Sequence, residues 1–191
     1  MNIRLLPAII ASLLVLLFWY YYSSVYRGAE VFENLAADVA YVGNKECAYC
    51  HSEIYQSYLR TGMGRSFYRP GAQPDIEDFT DNNHVYDRQN NLHYEMVTAK
   101  DGYYQVEYRE NDQAVRTHEL RRKVYYVVGS GNNNRTYLTS ESGYINEMPA
   151  TWYSEKEIWE LSPGYNHLNM RFNRPVVAEC MHCHNSYSAS E

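Results

Sequence analysis

Cysteine is scarce in this chain, and none is spare. All four cysteines fall in two pentapeptides, Cys47-Ala48-Tyr49-Cys50-His51 and Cys180-Met181-His182-Cys183-His184. No cysteine is left for a separate disulfide framework, and no βαβ pattern flanks either pair to support a thioredoxin-type centre. Basic charge is short as well: 17 Lys and Arg stand against 23 Asp and Glu, a net charge of −6. Phosphate binding needs a basic face, so the composition speaks against nucleic acid as a partner. The turn Gly129-Ser130-Gly131 lacks the Gly-Lys-Ser/Thr of a phosphate loop. No Ser/His/Asp arrangement can be argued from spacing, and nothing repeats apart from the pentapeptide.

What is present is that pentapeptide, twice. CxxCH is the attachment signature of a c-type haem: two thiols become thioether links and the adjacent imidazole reaches the iron. The sequence therefore predicts two covalently attached c-type haems, held by Cys47, Cys50, Cys180 and Cys183, with His51 and His184 as proximal iron ligands. The competing chemistry is a structural four-cysteine zinc site. Zinc does not require the His that follows each pair, and positions 47 and 180 are farther apart than the halves of most zinc knuckles.

The other strong signal is a run of 22 uncharged residues, 5–26, between Arg4 and Arg27. As a helix it would extend roughly 33 Å, about one hydrocarbon core. It closes on Phe18-Trp19-Tyr20-Tyr21-Tyr22, an interfacial aromatic belt. These features predict a signal anchor over residues 1–27; a cleaved leader and secretion are the alternative. Haem attachment occurs outside the cytoplasm, which puts the domain in the periplasm or at the cell exterior.

Residues 28–40 read as a linker and 41–191 as a dihaem cytochrome c domain. Cys47, Cys50, His51, Ile54, Tyr55 and Tyr58 share a helical face between Asn44, a plausible cap, and the stop Gly62/Gly64. Residues 65–83 read as a loop. Residues 92–98 and 103–109 flank Lys100-Asp101-Gly102 as a hairpin, and 115–128 and 136–139 continue the ladder. Residues 154–161 read as a short helix. The expected fold class is α+β, with an N-terminal transmembrane helix, a haem-binding helix, a central antiparallel β-meander and a C-terminal haem motif.

The words around the motifs resemble a multihaem c-type cytochrome domain of the cytochrome c-554 class. They are Tyr41-Val42-Gly43-Asn44-Lys45-Glu46 leading into residues 47–67, the segment 127–138 (VVGSGNNNRTYL), Trp152-Tyr153-Ser154-Glu155, Ser162-Pro163-Gly164-Tyr165 and Glu179 before the second motif. The resemblance covers most of 41–185 and implies electron transfer in the periplasm or outside the cell; it does not give an enzyme activity. Two positions depart from it. The family often has His twelve residues after the first motif's His, where this chain has Met63. It often reads GSGNHxR where this chain has Gly129-Ser130-Gly131-Asn132-Asn133-Asn134-Arg135.

The sixth ligands are open. Met63, His93, His118 and His167 are the main candidates, with Met96, Met148, Met170, His84 and His182 behind them. Each has a plain reading as core filler or surface residue. The expected work is one-electron relay from a membrane donor to an external acceptor through redox partner proteins, with self-association into a filament as an extension. The alternative is a dihaem peroxidase or small reductase with one open iron.

Overall fold

The structure is a computed structural model that describes residues 6–27, 39 and 43–185, with backbone alone for 6–9, 25–27, 44 and 182–185. The expected linker 28–40 lies outside the described residues except for Val39. The chain forms two compact units, residues 1–49 and residues 50–191.

The first unit contains helix α1 (Leu6–Arg27) and the single turn α2 (Asn44–Cys47). Among the described residues no helix is long and apolar enough to cross a membrane. This corrects the expected N-terminal transmembrane helix over residues 1–27, and anchoring through it. The reason lies in the last turns of α1. There Tyr20, Tyr21, Tyr22, Ser23, Ser24 and Arg27 bring hydroxyls and a charge, whereas a span needs about 20 predominantly apolar residues. The stretch before them, residues 8–19, has the length of a secretory leader's apolar region, about 7–15 residues.

In the second unit, β-branched and aromatic residues alternate with polar ones, and strands form antiparallel ladders. The α+β expectation is corrected to a mostly antiparallel β fold in two sheets. One sheet has four strands in the order β2 (His84–Asp87), β3 (Leu92–Ala99), β4 (Gly102–Glu110) and β5 (Arg116–Lys123). Strands β3 and β4 make the hairpin around Lys100 and Asp101, with Gly102 at φ 134°.

The other sheet is seven-stranded. Its strands are β1 (Phe67–Tyr68), β6 (Tyr126–Val128), β7 (Asn134–Glu141), β8 (Tyr144–Glu147) and β11 (Arg174–Pro175), with β9 (Ala150–Tyr153) paired to β7 and β10 (Ile158–Leu161) paired to β9. Helix α4 (Ala178–Asn185) carries the second motif.

Leu92, Tyr94 and Met96 of β3 point into a core shared with Val127, Tyr137, Met148, Trp152, Trp159 and Phe172. The Gln105 amide ties the sheets by donating to the Ala150 carbonyl at 2.8 Å and accepting from the Ala150 N–H at 3.1 Å. Residues 154–161 are a turn and a strand, where a helix was expected. Trp159 opposes Trp152 across β9 and β10, ring to ring at 5.5 Å, and both are buried. The cross-strand burial of Trp159 against Trp152 outweighs the helical propensity of the surrounding Glu and Lys.

Candidate haem-attachment sites

Before the first motif, Gly43 turns the chain at φ 79° and no side chain caps α2, so Asn44 is the first helical residue rather than the expected cap. The Ala48 N–H donates to the Lys45 carbonyl at 3.1 Å, and Cys47 is exposed. In the second unit Cys50 and His51 are exposed, and His51 precedes the short helix α3 (Ser52–Tyr58). The single helix expected from 44 to 62 is thus broken within the motif, between Cys47 and Ser52. Helix α3 buries none of its residues: Ile54 is 68 % exposed and Tyr58 42 %. A helix of seven residues with a bare apolar face has nothing of its own to hold it, since isolated helices this short are marginal in water.

A tight turn follows α3. Thr61 Oγ1 donates to the Tyr58 carbonyl at 2.7 Å and accepts from the Gly64 N–H at 3.0 Å. A Cβ on Gly64 would strike the Tyr58 carbonyl, so only glycine fits. Met63 sits in this turn with its side chain 64 % exposed. The same segment packs on the Gly129-Ser130-Gly131 turn: the Gly129 N–H donates to the Ser66 carbonyl at 2.7 Å, and Gly62 abuts Ser130 and Asn132. The Met63 turn and the stretch 129–135 are therefore neighbours in space.

The second motif adjoins a cleft of about 290 Å³ lined by Cys180 and Met181. Phe67, Val128, Leu138 and Val176 supply apolar wall, while Asn134, Thr136 and Glu147 are polar. Phe67 is braced by stacking on Tyr126 at 5.2 Å. Burial raises the Glu147 carboxyl above its ordinary pKa, opposed by the Arg174 guanidinium 3.1 Å away. Cys180 is exposed. A thiol at the mouth of an apolar cleft fits the edge of a flat macrocycle whose face needs shelter from water. The side chains of Cys183, His184 and His182 lie outside the described residues.

The proposed sixth ligands are scattered. His93 is on β3, ring-stacked on Tyr86 and Tyr108 and bonded to His84. His118 is exposed on β5 with φ 54°, beside the bulge between Glu107 and Arg109. His167 is exposed in the turn after Gly164. None of the three lines the cleft. Met96 and Met148 are core residues, 1 % and 0 % exposed, which suits packing and not ligation. Among the described residues no group of three or more His, Cys, Asp or Glu is gathered as a metal site. Sequence reasoning missed the cleft and its Glu147, because residues 67, 128, 138, 147 and 176 come together only through the sheet. Compared with family models, curated proteins and solved structures, the chain matches none of them.

Proposed function

We propose that this chain is an exported c-type cytochrome that carries two covalent haems, at Cys47/Cys50 and Cys180/Cys183, and relays single electrons between redox partner proteins. When bound, each haem would supply an iron that cycles between ferric and ferrous. The chain's residues would attach it, present an axial imidazole from His51 or His184, and limit water at its faces. The observation that carries this reading is the second motif's position, with Cys180 on an apolar cleft. The bare apolar face of α3 after the first motif supports it. The N-terminal apolar stretch is read as an export leader.

The test is a pyridine haemochrome assay on protein matured in a host that attaches c-type haem. Two haems per chain are expected, falling to one in Cys50→Ala and to one in Cys180→Ala. Full loss of covalent haem staining in the unsubstituted chain, with stoichiometric zinc instead, would sink the reading. Amino-terminal sequencing of the exported protein tests the leader: a start at Met1 would contradict cleavage.

A second reading has one observation in its favour. Among the described residues the cleft offers Glu147, Thr136 and Asn134 but no His, and Met181 within the motif is its single thioether. An iron there with no sixth protein ligand would be open to small ligands, as in a peroxidase or small reductase. A high-spin ferric signal with cyanide-sensitive bands is the expected signature. Two low-spin irons indifferent to cyanide would leave relay alone.

A further inference from the structure

Strands β2 and β3 bring two imidazoles together on the face of β3 opposite its buried Leu92, Tyr94 and Met96. His84 pairs with Glu95 and His93 with Tyr86, which makes the two histidines diagonal neighbours across the ladder. Nε2 of His84 lies 3.0 Å from Nδ1 of His93. The His93 ring is held by stacking on Tyr86 at 4.4 Å and on Tyr108 at 5.0 Å. Tyr86 is fixed in turn by donating from its hydroxyl to Asn91 Oδ1 at 3.1 Å. His84 is exposed and lines an open cleft of about 630 Å³, with room for water ligands.

We infer that His84 and His93 form a binding site for a first-row divalent transition metal of tetragonal preference, Cu²⁺ foremost. Among divalent first-row ions Cu²⁺ stands highest in affinity for nitrogen ligands. Two nitrogens 3.0 Å apart, each about 2.05 Å from a shared metal, subtend about 94° at it, the cis angle of a square arrangement. The ring centroids stand 5.1 Å apart, and a shared ion needs about 4.7 Å, so both rings turn from the hydrogen-bonded arrangement until their lone pairs meet at the ion. In the metal-free chain one neutral ring donates its N–H to the other, and binding requires the donor ring to carry that proton on its other nitrogen, so that both facing nitrogens offer a lone pair to the ion.

Water completes the coordination. Among the described residues no third His, Cys, Asp or Glu joins the pair, and Glu95, opposite His84, is engaged by Arg116. This site uses no residue of the haem motifs.

The purified full chain is titrated with CuCl₂ and followed by calorimetry, and His84 carbethoxylation is followed by mass spectrometry. Saturable binding is expected, with the His84/His93 component weakened at least tenfold in His84→Gln and in His93→Gln, and Cu²⁺ favoured at least tenfold over Zn²⁺. In the unsubstituted chain, saturating Cu²⁺ slows carbethoxylation of His84 at least fivefold, a readout specific to that ring whether or not haem is loaded. Unhindered modification of His84 at saturating Cu²⁺, or an isotherm unchanged by both substitutions, overturns the site. Haemochrome content reports separately on the haem reading and is expected to be unchanged in both variants.

Discussion

Glu77 and Arg135 form an ion pair that is almost wholly out of water, with side chains 3 % and 6 % exposed. Arg135 Nη1 donates to Glu77 Oε2 at 3.0 Å and to the Pro74 carbonyl at 3.0 Å, and the Tyr137 hydroxyl donates to Glu77 Oε1. Burial, then the Glu77 charge, drives the Tyr137 phenol well above its ordinary pKa, so it stays a donor. Removing one partner strands the other charge, at a cost of about 3–5 kcal/mol. Glu77→Gln is expected to lower stability by that order in urea unfolding; a loss below about 1 kcal/mol would mean the pair is hydrated.

At the same scale, His84 has its pKa lowered, first by desolvation and then by His93, with Arg116 adding to the effect and Glu95 and Glu110 opposing it. Folding therefore favours the neutral ring. The stability it contributes is present above the unfolded value of 6.5 and is lost as pH falls through the lower folded value. Urea midpoints measured from about pH 7.5 down to about 5.5 are expected to fall, and to fall less steeply in His84→Gln. Parallel slopes would assign the pH dependence to other groups.

Among the elements, the turn joining β6 to β7 matters most because it supports the Met63 segment. Gly129 sits at φ +110°, and a Cβ there would strike the Asn134 carbonyl. Gly129→Ala is expected to cost upwards of about 1–2 kcal/mol for the left-handed backbone alone, before the clash is relieved. Near-identical thermal midpoints would show that the turn relaxes freely.

The cleft makes an element-scale prediction of its own. Leu138 is buried in β7 and lines the apolar wall. Leu138→Asp puts a charge against any porphyrin held from Cys180 and costs several kcal/mol of burial besides. A milder probe is Val176→Asn, beyond the core cluster. It is expected to lower haem content towards one per chain while the fold persists by circular dichroism. Two full haems in that variant would place the second macrocycle elsewhere.

For the whole molecule, the two CxxCH segments have different surroundings. The first leads into an exposed helix and an exposed Met63; the second borders a walled cleft. Burial and axial ligation both set potential, so the two irons are expected to titrate at separate potentials. A thioether raises potential relative to a second imidazole. Met63→His is therefore expected to lower one of the two potentials in a spectroelectrochemical titration, and unchanged potentials would remove Met63 from the ligand set.

Much of the β framework was legible because it is local. The Lys100-Asp101 hairpin announces itself through alternation and a glycine at the turn. The 154–161 segment did not, since its strand character depends on burying Trp159 against Trp152, a tertiary event. In the N-terminal segment absence of charge is not the same as apolarity, because Tyr20, Tyr21, Tyr22, Ser23 and Ser24 carry hydroxyls.

The sequence by itself determined the chemistry that Cys47, Cys50, Cys180 and Cys183 can offer, because two thiols and an imidazole in one pentapeptide form a local unit that needs no distant residue. Only the tertiary structure decided what surrounds them. The apolar cleft beside Cys180 draws on residues from 67 to 181, and the His84–His93 pair exists only through the register of β2 on β3. Contacts of that range follow from strand pairing and core burial, which a linear pattern constrains without placing.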